Sequence, residues 1–208
     1  MDAGPDTDGE DSELADKRRK RNEIIAAARG EFARIGYRAA TIRGIAMKAQ
    51  VSTRTIYDYF NDKLALFNDC IAFDAAVFFQ PGLSWGGAPD AALEGYVVAI
   101  LRHLTSGDSF QLSLMIFHDV ETNPELKEVA KRTHETYFLQ PLEAFLRQMD
   151  IEPQAATALA RLFNNMATSE WQRRILYGEP VQDDLEIVSH AERVTRVFLH
   201  GQPMRRDR

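Results

Sequence analysis

Residues 41–63, TIRGIAMKAQVSTRTIYDYFNDK, limit what the chain can fold into more than any other stretch. Thr41 is placed to cap a helix with its hydroxyl, and Ile42, Ile45 and Ala46 repeat at i, i+3 and i+4, giving a short helix one apolar face. Met47 to Gln50 runs into a turn before Val51, and Ser52 caps a second helix. On that helix Ile56 and Phe60 lie four apart and face the first, which leaves Thr53, Arg54, Thr55, Tyr57 and Tyr59 on other faces. Those residues carry hydrogen-bond donors, and phosphates and base edges accept hydrogen bonds. The spacing predicts a helix-turn-helix that reads DNA.

The flanks extend the pattern. A basic helix ends at Phe32-Ala33-Arg34-Ile35-Gly36-Tyr37, and Phe60-Asn61-Asp62-Lys63-Leu64 follows the second short helix. With Thr41, Ile45, Ala46, Val51, Ser52, Ile56, Tyr57, Tyr59, Phe60 and Lys63, residues 20–67 resemble the N-terminal domain of TetR-family transcriptional regulators. Two positions depart from the family pattern. Gln50 stands where the turn glycine is usual, which implies a turn without positive φ or some backbone strain. Arg54 adds a charge to the recognition helix and bears on which DNA is bound. The resemblance implies an all-α protein of about nine helices: a three-helix head over residues 17–63 and a larger helical body over 64–201 for effector binding and dimerisation. It also implies a homodimeric repressor that leaves a palindromic operator when a small effector binds. A same-fold activator or a regulator answering to a partner protein is the alternative.

Charge distribution supports a DNA-binding head independently. The whole chain has a formal net charge of -6, which by itself argues against nucleic acid. Residues 17–63, however, hold 12 Lys/Arg against four acids, whereas residues 1–16 hold seven acids and no base. The basic block coincides with the helix-turn-helix, the electrostatic footprint of a phosphate-binding face. Arg43, Thr53, Arg54 and Thr55 are the candidates for base edges. Lys17, Arg18, Arg19, Lys20, Arg21, Thr41, Ser52, Tyr57, Tyr59 and Lys63 are the candidates for phosphates. Residues 1–16, rich in Asp, Glu and Gly with almost nothing apolar, are expected to be a disordered acidic tail, and residues 202–208 a basic one.

Past Lys63 the apolar spacing is helical throughout, with breaks at Gln80-Pro81-Gly82, Asn123-Pro124, Pro153 and Gly178 to Pro180, and a kink expected at Pro141. The last two helices offer Leu159, Leu162, Phe163, Met166, Val194, Val197 and Phe198 as a dimer interface. A two-fold protein suits a two-fold operator, with recognition helices in successive major grooves. A single cysteine, Cys70, and the lack of any long apolar run point to a soluble, cytoplasmic protein.

Catalytic patterns are present only in form. Gly82-Leu83-Ser84-Trp85-Gly86 matches the nucleophile elbow of hydrolases, making Ser84 a remote enzymatic candidate, but an elbow needs a strand before it and a helix is predicted there. His134-Glu135 lacks the second histidine of a zinc helix, so no metal or other cofactor is expected. The aromatic content of the body favours an apolar or aromatic effector, with Phe78, Trp85, Tyr96, His103, Met115, Phe117, His118, Tyr137, Phe138 and Asn165 as candidate contacts.

Overall fold

The computed structural model describes residues 7–78 and 85–201. Among them every regular element is a helix: α1 (Thr7–Ala39), α2 (Ile42–Lys48), α3 (Thr53–Tyr59), α4 (Lys63–Phe78), α5 (Pro89–Thr105), α6 (Gly107–Asp119), α7 (Pro124–Thr133), a π-helical segment (His134–Leu139), α8 (Gln140–Gln148), α9 (Pro153–Tyr177) and α10 (Asp184–His200). Helical backbone continues from α7 through the π segment into α8, so the described chain forms nine helical rods. The π segment stands where Pro141 was expected to kink the helix. Proline has no N–H to give and its ring crowds the preceding turn, and one wider turn relieves both.

Residues 7–16, expected to be without structure, are the first turns of α1. Composition taken alone missed the pairing of the acidic run with the basic run behind it. Glu13 bridges Lys17 at 3.0 Å and Asp16 bridges Arg19 at 3.2 Å, while acids at a helix N-terminus also face the positive end of its dipole. Residues 1–6 and 202–208, and with them parts of both predicted tails, lie outside the described residues, as do Gly82 and Ser84. The element before that motif is helix α4, not a strand.

Two cores hold the molecule together. The first packs Ile24, Ile25 and Phe32 of α1 with Ile45 of α2 and Ile56 of α3, and continues into Leu66, Phe67, Cys70 and Ile71 of α4, Leu112 and Met115 of α6, and Leu126 and Val129 of α7. Packing therefore runs across the boundary expected at residue 63, because the head's helices, two of them only seven residues long, bury too little apolar surface by themselves. The Cys70 thiol lies 3.7 Å from the Ile25 carbonyl, and burial pushes its pKa up. The second core joins α5, α8, α9 and α10 around Tyr96, Leu101, Leu142, Phe145, Phe163 and Trp171. Outside it Arg102 makes a bidentate pair with Asp184, 2.8 Å in each arm, fastening α5 to α10. Arg174 bonds Glu170 and Glu186, closing the turn between α9 and α10 where Gly178 takes φ 66°.

Candidate nucleic-acid interface and internal cavity

The geometry of the α2–α3 turn follows from its caps. Thr41 Oγ1 accepts from the Gly44 N–H at 3.0 Å, and Ser52 Oγ accepts from the Thr55 N–H at 2.9 Å. Between the helices the Val51 N–H donates to the Ala46 carbonyl at 3.0 Å, which requires a left-handed residue at position 50. Gln50 supplies it at φ 53°, so the strained alternative is the one realised. Ile56 and Phe60 are buried against α1 and α2, as their spacing predicted. A further anchor was not read from the sequence: Glu31 of α1, nearly buried, accepts from Lys48 of α2 at 2.7 Å and from Arg34 at 3.0 Å. The bond from Lys48, aided by Arg34, outweighs desolvation and holds the Glu31 carboxyl below its ordinary range.

Arg43, Thr53, Arg54 and Tyr57 are exposed, and among the described residues neither arginine has an ion pair. Thr41 and Ser52 are exposed but spend their oxygens on capping, and Thr55 shares its hydroxyl with Ser52 at 2.8 Å. Tyr59 is half-buried and leans on Phe60. Along α1 Lys17, Arg19 and Lys20 pair only with exposed neighbours on the same helix, contacts that are weak and readily exchanged for phosphates, and Arg18 is exposed. Two predicted phosphate ligands are instead turned inward. Arg21 bonds Asp69 of α4 at 2.6 Å with its guanidinium over the Phe60 ring. Lys63 donates to the carbonyls of Tyr37 at 2.9 Å and Ala40 at 3.0 Å, closing the end of α1, and burial lowers its pKa. An ammonium has three donors, so Lys63 keeps one for a phosphate.

A cavity of about 290 Å³ opens between α4, α5, α6, α7, the π segment and α9. Of the candidate effector contacts, His103, Phe117, Phe138 and Asn165 line it. The other candidates stand elsewhere. Met115 is packed into the first core, His118 is exposed, Tyr137 is half-buried away from the cavity, Trp85 packs on Phe145 and Tyr96, and the Phe78 side chain lies outside the described part of the chain. Tyr96 lies one shell behind the wall. Its hydroxyl donates to Asn164 Oδ1 at 2.7 Å, and burial pushes its phenol up. Asn164 Nδ2 lies 3.1 Å from His134 Nε2, which makes that nitrogen the acceptor. Part of the His134 ring reaches solvent, yet desolvation by surrounding protein holds its pKa below the ordinary value.

At the opposite wall Asp74 of α4 is buried at the meeting point of four helices. Arg29 of α1 pairs with its Oδ1, Ser109 of α6 donates to the same oxygen at 2.8 Å, and His103 of α5 lies 3.0 Å from Oδ2. Burial pushes the carboxyl up, but the hydrogen bond and charge of His103, with the charge of Arg29 and the hydrogen bond from Ser109, outweigh it and hold it below the ordinary range. Sequence reading missed Arg29, Asp74, His134 and Asn164. Each is a polar residue on a mostly apolar helical face, which is the signal that marks them.

The predicted dimer surface divides. Leu162 is 51% exposed and Met166 and Val197 border an open groove between α9 and α10. Phe163 is fully buried against Tyr96 and Phe198, so it belongs to the protomer core and not to an interface. Val194 is nearly buried beneath the groove, and Leu159 and Phe198 are half-buried at the edge of the core. Beside the exposed Val188, Leu185 of α10 adds exposed apolar surface that sequence reading did not single out. No helix among the described residues is long and apolar enough to cross a membrane.

Residues 24–70 match the family of bacterial regulatory proteins, tetR family. Among solved structures, a protein of Mesorhizobium loti MAFF303099 assigned to the TetR-family transcriptional regulators is 20% identical over 88% of this chain and 96% of its own, with a TM-score of 0.73. The flavonoid-responsive regulator FrrA is 22% identical over 89% and 98%, with a TM-score of 0.69. The fatty acid degradation regulator FadR from Bacillus halodurans is 17% identical over 98% and 99%, with a TM-score of 0.68. The shared fold thus extends over the body as well as the head. No curated protein matches the chain significantly.

Proposed function

Starting from residues 24–70 as the DNA-binding head of the tetR family of bacterial regulatory proteins, we propose that the chain is a cytoplasmic homodimeric repressor, released from a palindromic operator when a small apolar or aromatic molecule fills the cavity. The observation that carries this reading is the double duty of α4. Its first residue, Lys63, is bonded to two carbonyls at the end of α1, and its later turns bring Ile71, Asp74 and Ala75 into the cavity wall. A ligand pressing on that wall moves the rod that carries the head, and in a dimer this changes the spacing of two recognition helices. Such a ligand must bind the DNA-free arrangement more tightly, since one with equal affinity for both shifts nothing.

On DNA, Arg54 and Thr53 of α3 and Arg43 of α2 meet base edges, and Arg18 and its neighbours on α1, with Tyr57, hold phosphates. One similar structure is of a flavonoid-responsive regulator and another of a regulator of fatty acid degradation. Phe117, Phe138 and Trp171 in the cavity wall favour a ring-bearing ligand for this chain.

The test is a mobility shift of the full chain on DNA upstream of its own coding region, across a salt series with random DNA as competitor. Specific, salt-sensitive retention is expected, with Arg54→Ala relaxing preference at particular positions and leaving binding to random DNA nearly unchanged. Equal losses on both DNAs for Arg54→Ala would remove it from base reading. Failure to prefer any DNA, genome fragments included, would overturn the regulator.

A further inference from the structure

The polarity of the cavity says more about its ligand than its size does. Among the described residues its lining includes the ionised Asp74 and two histidines, but no lysine or arginine. Arg29 balances Asp74 from the α1 side, with its guanidinium against Phe73, outside the lining. A carboxylate oxygen accepts about two hydrogen bonds. Oδ1 of Asp74 is filled by Arg29 and Ser109, whereas Oδ2, among the described residues, has His103 alone and retains one place. The side chain is only 10% exposed, so this place opens to the cavity more than to bulk water.

Beyond its two histidines the lining carries only uncharged groups, the apolar Ile71, Leu112, Ile116, Phe117 and Trp171 and neutral donors such as Asn165 and Gln172, which answer a second buried negative charge only in part. Repulsion between two carboxylates is strong in such surroundings, and desolvating the second adds to it. A hydroxyl or ammonium, by contrast, meets a ready acceptor.

Resting on the reading of the cavity as a ligand site, we infer that it takes a neutral or cationic aromatic molecule of about two rings whose hydroxyl or amino group donates to Asp74 Oδ2, and that it rejects carboxylates of the same shape. The same hydrogen bond competes for the carboxylate that Arg29 holds, so it reaches the ion pair joining the cavity wall to α1. Ligand polarity and communication with the head meet at one side chain.

Three matched probes test this: 4-phenylphenol, 4-phenylbenzylamine and biphenyl-4-carboxylate, each titrated calorimetrically into the full chain. The phenol and the amine should bind at least about tenfold more tightly than the carboxylate, the worth of a hydrogen bond to a charged group. Asp74→Asn, similar in size and without the charge, should close most of that gap. A carboxylate that binds the native chain as tightly as the phenol overturns the inference, as does an unchanged gap in a folded Asp74→Asn protein, or no binding by any probe. Should Asp74→Asn fail to fold, the ranking on the native chain decides alone. DNA retention without probe is measured separately. A chain that ranks the probes as expected but prefers no DNA keeps this inference and loses the regulator, and the reverse result does the opposite.

Discussion

Gln50 holds a left-handed backbone, φ 53°, at the hinge of the helix-turn-helix. A side chain there costs about 1–2 kcal/mol, against roughly 0.5–1 kcal/mol for the extra freedom glycine loses on folding. Gln50→Gly should therefore stabilise the chain by about 0.5–1 kcal/mol, read as a higher urea midpoint with an unchanged slope. Glutamine is visible in the sequence as a departure from the family pattern, but residue type does not encode the sign of φ, so only the structure chooses between a strained turn and a different one. Neighbouring residues on one helix pose the same difficulty. The sequence points to Asn165 for the ligand and to Leu162 and Phe163 together for the interface, yet Asn164 shares the cavity lining with Asn165 and makes the buried bonds there, and of the second pair only Leu162 is exposed. Successive side chains point about 100° apart, and a doublet such as Asn164-Asn165 or Leu162-Phe163 gives no hint which member faces in.

Single ties between elements decide how the head is held. Glu31 joins α1 to α2 through Lys48, and its folded pKa lies below its ordinary value of 4.5. Its stabilisation is thus complete above that value and disappears as pH falls through the folded pKa. Glu31→Gln should lower Tm at neutral pH and flatten the acid side of the Tm–pH curve below pH 4.5. A curve parallel to that of the native chain would show that the pair contributes nothing. Lys63 ties α4 to α1, and Lys63→Ala removes two hydrogen bonds to carbonyls, so it should cost about 1–2 kcal/mol of stability while weakening binding to specific and random DNA alike. Thermal unfolding beside a mobility shift separates the two effects. At this scale the sequence is most legible: past α1, whose start lies about ten residues ahead of its expected place, caps, prolines and glycines mark the helix ends to within a residue or two. What it leaves open is the response to Pro141, where the described backbone widens into a π turn.

For the molecule as a whole, the proposed second copy would meet the outward side of α9 and α10, where Leu162, Leu185 and Val188 are exposed. Leu162→Asp places a charge on its exposed apolar part, and sedimentation should then report a monomer of unchanged helix content with reduced affinity for a two-fold operator. A dimer that survives the substitution would move the interface elsewhere. The all-helical class and the position of the head are readable because both depend on local spacing. The cavity is not, because six elements spread over residues 71–172 meet to form it.

The cavity also lies on a seam. Ile71 and Leu112 in its wall belong to the first core, Ile100 and Trp171 to the second, and the helix running from α7 to α8 gives Leu126 and Val129 to one and Leu142 and Phe145 to the other. Neither core fills the gap between them. The proposed effector would be a missing piece of interior, one that would join two separately packed halves into a single solid, so that supplying or withholding it would set how many cores this protein has.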